Sequence, residues 1–129
     1  MESLMKKLAL IIEDDEDLLD IFAEALRGID FEIENAVDGK VAREKLNAGE
    51  PPFLILLDMH LPHVSGKDLL HEIKSNERFA KTWVIITTAD ARLAEDYRDQ
   101  VDFALIKPIL FGQLKDLARR LKPKDEIAG

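Results

Sequence analysis

The chain alternates short apolar runs with stretches in which apolar residues return every three or four positions. Residues 8–12 are apolar throughout, which suits a strand covered on both faces. Leu18, Phe22, Ala25, Leu26 and Ile29 then recur at helical spacing, with Gly28 near the end of that pattern. Residues 31–37 set Phe31, Ile33 and Val37 against Glu32 and Glu34, the alternation of a half-exposed edge strand. Asp38-Gly39 opens a short helix carrying Val41, Ala42 and Leu46, which stops before Gly49 and the Pro51-Pro52 pair.

A second fully apolar run, residues 53–57, ends in Asp58. Ser65 and Asp68 then form a capping-box pattern ahead of a helix with Leu69, Leu70 and Ile73. Residues 83–87 and 101–106 are two further buried-strand candidates. Between them the spacing predicts a weak, polar helix over 91–98, whose apolar points are Leu93, Ala94 and Tyr97. Leu110, Leu114, Leu117, Ala118 and Leu121 predict a last amphipathic helix, and the polar residues from Lys122 onward a frayed tail. The domain is expected over residues 1–122, with 123–129 as that tail. Strand and helix thus alternate five times, the pattern of an α/β domain with a doubly wound parallel sheet and helices on both faces.

Composition narrows the function. A length of 129 residues suits one domain. The absence of cysteine excludes disulfides, thiolate zinc sites and thiol nucleophiles. A net charge of −8, from 26 acidic and 18 basic residues, argues against nucleic acid and against an anionic membrane surface as partners. No run approaches the ~20 apolar residues of a membrane span, and a soluble, cytoplasmic protein is the expectation. Of the three histidines, His60 and His63 share a proline-containing loop. Nothing fixes their rings toward one point or places a third imidazole beside them, so zinc is not the expected ligand.

In a doubly wound sheet ligands bind beyond the carboxyl ends of the strands, so the chemistry should sit there. The first strand runs into Glu13-Asp14-Asp15, the third into Asp58, the fourth into Thr87-Thr88 and the fifth into Lys107-Pro108. If the first and third strands are neighbours, at least three carboxylates crowd one small volume and raise their own pKa values. A hard divalent cation relieves that repulsion, and magnesium prefers oxygen ligands. A metal, an ammonium, a hydroxyl and a carboxylate nucleophile are together the parts of phosphoryl transfer.

In their order and spacing these residues resemble the receiver domain of two-component response regulators, over about residues 6–122 and in the chemotaxis-regulator-like, stand-alone form. The resemblance implies a flavodoxin-like strand order, 2-1-3-4-5. It makes Asp58 the phospho-acceptor, with Asp14 as a direct magnesium ligand, Glu13 acting mainly through water and His60 offering its backbone carbonyl. Thr88, followed by Ala89, falls on the switch hydroxyl, and Lys107 on the lysine that contacts the phosphoryl group. Gly66 matches the glycine after the acceptor loop, and the Lys107-Pro108 peptide falls where the family has a cis bond. It implies a histidine kinase or phosphotransfer protein as donor and a separate downstream effector, with no enzymatic role beyond self-catalysed phosphorylation and dephosphorylation.

The chain departs from that family in two places. Ala104 stands where an aromatic residue is usual, and Phe103, its neighbour, points to the opposite face. The segment between Thr88 and Lys107 is also short. Two other readings use the same residues. A receiver-fold module could bind a partner constitutively. A phosphohydrolase with an aspartyl intermediate would want a second acid two residues after the nucleophile, where this chain has His60. The acids at 13–17 could also serve as helix caps.

Overall fold

The computed structural model describes residues 7–124. Its elements are β1 (Lys7–Ile12), α1 (Glu16–Arg27), β2 (Phe31–Ala36), α2 (Gly39–Leu46) and β3 (Leu54–Asp58), then α3 (Gly66–Lys74), β4 (Trp83–Thr88), α4 (Ala91–Tyr97), β5 (Phe103–Ile106) and α5 (Phe111–Arg119). The strands are parallel and lie in the order β2-β1-β3-β4-β5. This is the doubly wound, flavodoxin-like sheet.

Strand parity divides the core in two, because successive side chains point to opposite faces. Ala9, Ile11, Leu54, Leu56 and Ile85 pack with Phe22 and Leu26 of α1 and Leu114 and Ala118 of α5. Leu10, Ile12, Ile55, Leu57, Val84 and Ile86 pack on the other side with Ala42, Leu46, Leu69, Leu70 and Ile73 of α2 and α3. The central strands β1 and β3 are therefore apolar throughout, while each edge strand is covered less completely.

Four local expectations change. In α1, Leu19 is buried more deeply than Leu18, which is only partly covered. Val37 lies beyond β2 and is exposed; pairing ends at Ile12↔Ala36, and the chain turns out toward Asp38, which caps α2. Residues 101 and 102 are not in β5, and that strand is not a buried one, since Phe103 and Ile106 stand open at the sheet edge. There Asp102 ends the ladder with its side chain, as the Val84 N–H donates to Asp102 Oδ2 at 2.7 Å. Leu110 precedes α5 as its N-cap and is exposed rather than packed.

The tail is also better held than its polarity suggests. The Trp83 indole N–H donates to the Lys122 carbonyl at 2.8 Å, and Lys124 Nζ lies 4.9 Å over the Trp83 ring and 3.0 Å from Asp102 Oδ2. Residues 122–124 thus strap the starts of β4 and β5. The rest of the expected tail, 125–129, lies outside the described residues.

Candidate functional site

The acid run after β1 divides its labour. Asp15 caps α1 by accepting from the N–H groups of Asp17 and Leu18, as the capping reading expected of that stretch. Glu13 instead turns inward and is 1% exposed, its Oε2 accepting from the Asp15 N–H at 3.2 Å. Asp14, between them, is exposed at the rim. Because β1 and β3 are neighbours in register Ile12↔Leu57, Glu13 emerges beside Asp58. One oxygen from each of Glu13, Asp14 and Asp58 lies within 4.8 Å of the others.

Asp58 ends β3 and is 2% exposed. Its Oδ1 accepts the His60 N–H at 3.1 Å, which draws the start of the β3–α3 loop over the carboxylate. The close packing of Gly66 fixes the far end of that loop: a Cβ there would stand 2.5 Å from Met59 Cα and 2.8 Å from the Asp58 carbonyl oxygen. The Ser65 hydroxyl, accepting the Asp68 N–H, caps the helix that follows. The glycine requirement is one of space for the acceptor loop's backbone.

Lys107 leaves β5 one residue after the Thr88↔Ile106 pair and places its Nζ 2.9 Å from Glu13 Oε1 and 3.5 Å from Asp58 Oδ2. The peptide that follows it, to Pro108, is cis. Three carboxylates against one ammonium leave the pocket strongly negative. Burial pushes Glu13 up to about 7, with Asp58 adding to the rise and Lys107 opposing it. Burial also raises Asp58, against lowering by the His60 N–H, Glu13 and Lys107. Desolvation would lower Lys107, but Glu13 and Asp58 outweigh it and hold the ammonium charged above its usual range. Without a metal, burial and mutual repulsion make both carboxyls of the pair hold a proton more readily than free acids do.

These groups fit a hard divalent cation. Glu13 Oε1 is buried and, despite the nearby ammonium, accepts no aligned hydrogen bond. A buried carboxylate oxygen with capacity to spare, facing two other carboxylates, has the donor chemistry that magnesium takes.

Thr88 is fully buried, and its hydroxyl is engaged on the far side of the pocket. It accepts the Asp90 N–H at 3.0 Å and lies 3.2 Å from His60 Nε2. Asp58, Glu13, Asp14, Lys107 and Thr88 are thus gathered at one end of the sheet, as their positions in the sequence implied. His63 is a surface residue with positive φ and joins no metal-ligating group among the described residues. Sequence reasoning missed two things: that Glu13, not Asp14, is the buried acid paired with Lys107, and that the His60 ring reaches Thr88. Strand parity could not have signalled the first, since Asp14 continues the series Leu10, Ile12, which is as buried as the series Ala9, Ile11 that Glu13 continues.

A separate groove, lined in part by Lys7, Pro52, Phe53, Arg78 and Thr82, lies at the opposite end of the sheet and holds none of these groups.

Comparison with known proteins agrees with this geometry. The family described as "Response regulator receiver domain" matches residues 9–119. The chain is 32% identical over 125 residues to "Probable methanogenesis regulatory protein FilR2" of Methanothrix harundinacea, covering 89% of this chain and 81% of that protein. It is 28% identical to "Chemotaxis protein CheY" of Pseudomonas aeruginosa, covering 87% and 93%. Other relatives are longer, and the chain spans only 19% and 25% of two of them. Among solved structures, the response regulator TrrA of Thermotoga maritima, in complex with Mg(2+)-BeF, superimposes with a TM-score of 0.79 at 26% identity, over 90% of this chain and 99% of that one. The sheet order, the acidic pocket with its lysine and the family match agree, and the chain belongs to the response regulator receiver domains of two-component signalling.

Proposed function

We propose that this chain works as a stand-alone receiver that takes a phosphoryl group on Asp58 and signals by binding a separate protein. The observation that carries the reading is the position of Lys107 Nζ, within 2.9 Å of Glu13 and 3.5 Å of Asp58 at the mouth of a three-carboxylate cluster. A lone strand-end aspartate is an ordinary turn residue. One held at an ammonium, beside two more acids and across from a buried hydroxyl, is equipped as a phosphoryl acceptor.

The proposed donor is the phosphohistidine of a kinase or phosphotransfer protein. A carboxylate oxygen of Asp58 forms the new P–O bond as the donor's P–N bond breaks, and the leaving imidazole keeps the bonding pair and takes up a proton. Lys107 neutralises charge on a phosphoryl oxygen, and the Thr88 hydroxyl donates to another. The His60 N–H holds Asp58 Oδ1 and leaves the other oxygen to attack. Glu13, Asp14, Asp58 and the His60 carbonyl would hold magnesium, which supplies positive charge to the equatorial oxygens of the transferred group.

FilR2 and the Pseudomonas chemotaxis protein are covered over most of their length, which supports the stand-alone form. No helix of the described residues is long and apolar enough to cross a membrane. We place the protein in the cytoplasm on the strength of the proposed kinase donor alone. It is a signalling module with no substrate turnover of its own beyond loss of the aspartyl phosphate. Ala104, in place of the usual aromatic, favours a second reading, a module that binds its partner constitutively.

The test is incubation with acetyl phosphate and magnesium followed by intact mass. One added phosphoryl group that Asp58→Asn abolishes is expected. An adduct of equal size in Asp58→Asn would overturn the assignment.

A further inference from the structure

The Thr88 hydroxyl is the one site group whose contacts turn away from the acceptor. It lies 3.2 Å from His60 Nε2 and accepts the Asp90 N–H at 3.0 Å, and among the described residues it makes no hydrogen bond to Asp58. A threonine hydroxyl has one proton and two lone pairs. With Asp90 on one lone pair, the imidazole takes either the proton or the remaining lone pair. In both cases the Thr88 Oγ1 is tied to the β3–α3 loop on one side and to the N-cap of α4 on the other, since Asp90 also accepts from Arg92 and Leu93.

We propose that the His60 imidazole is a positioning residue, a latch that holds the Thr88 hydroxyl in the resting molecule and must release it before that hydroxyl can serve a phosphoryl group on Asp58. The inference rests on the reading of Asp58 as acceptor. The backbone of His60 already serves Asp58 through its N–H, so one residue touches both the acceptor and the hydroxyl across from it. Thr88 is fully buried and β4 is held on both edges by β3 and β5, whereas His60 is exposed on a loop. The imidazole is therefore the partner that moves. Its departure frees the Oγ1 to rotate about χ1, and the Asp90 N–H that follows Oγ1 carries the change to the first turn of α4. This route from pocket to surface needs no aromatic residue at position 104.

Breaking one hydrogen bond of ~1 kcal/mol corresponds to about a fivefold change in an equilibrium. His60→Ala should therefore raise the fraction phosphorylated at limiting acetyl phosphate by about fivefold, and His60→Gln, whose amide can reach the same hydroxyl, should recover part of the wild-type restraint. The gain should vanish in a Thr88→Ala background, a coupling that a merely structural role of His60 would not produce. No gain in His60→Ala, or a gain undiminished in the double variant, would overturn the latch while leaving Asp58 as acceptor. A second readout is independent of phosphorylation. In the resting protein, Thr88→Ala should shift the His60 Nε2 nitrogen resonance, and an unchanged resonance would overturn the latch even if no adduct forms. Absence of any adduct in wild type and variants alike would count instead against the acceptor reading.

Discussion

Glu13 shows best how one side chain's setting becomes a property of the whole protein. Its pKa rises from the ordinary 4.5 to about 7 through burial and the neighbouring Asp58. A carboxyl that binds its proton more tightly when folded favours the folded state below its unfolded pKa, and that advantage is lost as pH rises through the folded value. In chelator-treated protein, wild type should therefore lose stability relative to Glu13→Gln between about pH 4.5 and 7. The full difference is on the order of 3 kcal/mol, shared with Asp58 because the two titrate together. Urea melts of both proteins across that range check this, and a difference independent of pH would contradict it. Asp58→Ala, by removing one of the crowded acids, should abolish phosphorylation, keep the fold, and raise metal-free stability. Gross unfolding in a thermal melt would contradict that expectation. The positions of Glu13, Asp58, Thr88 and Lys107 were legible in the sequence because each lies at or just past the end of an apolar run, with Asp14 one residue beyond Glu13. The reach of the His60 ring was not, because loop direction depends on packing that spacing does not encode.

Among the elements, the acceptor loop and the β4–β5 edge carry the sharpest demands. Gly66→Ala would drive a Cβ to 2.5 Å from Met59 Cα, and because the neighbour is backbone it cannot step aside. A loss of about 2 kcal/mol or more is expected, with slower phosphorylation as Asp58 and Met59 shift. A variant as stable and as quickly phosphorylated as wild type would contradict the role given to the glycine. At the edge, Asp102 accepts the Val84 N–H and pairs with Lys124. Asp102→Ala should cost ~1–3 kcal/mol and release the residues that follow Leu121, visible as a change in Trp83 fluorescence. Unaltered stability and emission would show the strap to be idle. The edge was the least legible part of the sequence. The run 101–106 is apolar at Val101, Phe103, Ala104, Leu105 and Ile106, so it reads as a buried strand; in the fold it has a neighbour on one side only, and Asp102 closes the ladder with its side chain. The central strands were read correctly because burial on both faces leaves an unbroken apolar signature.

At the scale of the whole molecule, a negative pocket is held together at one end of the sheet by a scaffold whose core lies elsewhere. Alternation of apolar runs and helical periods made the fold class plain, and the strand order followed from the family resemblance rather than from the pattern itself. The scaffold tolerates the pocket's repulsion, and a ligand that relieves it should stabilise the folded state selectively. Magnesium at millimolar concentration should raise the melting temperature of wild type by several degrees and that of Asp58→Ala by less; equal shifts would place the ion elsewhere. Metal-dependent acceptance of a phosphoryl group by Asp58 is read out by intact mass after acetyl phosphate treatment, comparing wild type with Asp58→Asn, each with magnesium or with excess chelator. One added phosphoryl group in wild type with magnesium alone is the expected result. An adduct that survives Asp58→Asn, or that forms equally under chelator, would contradict it.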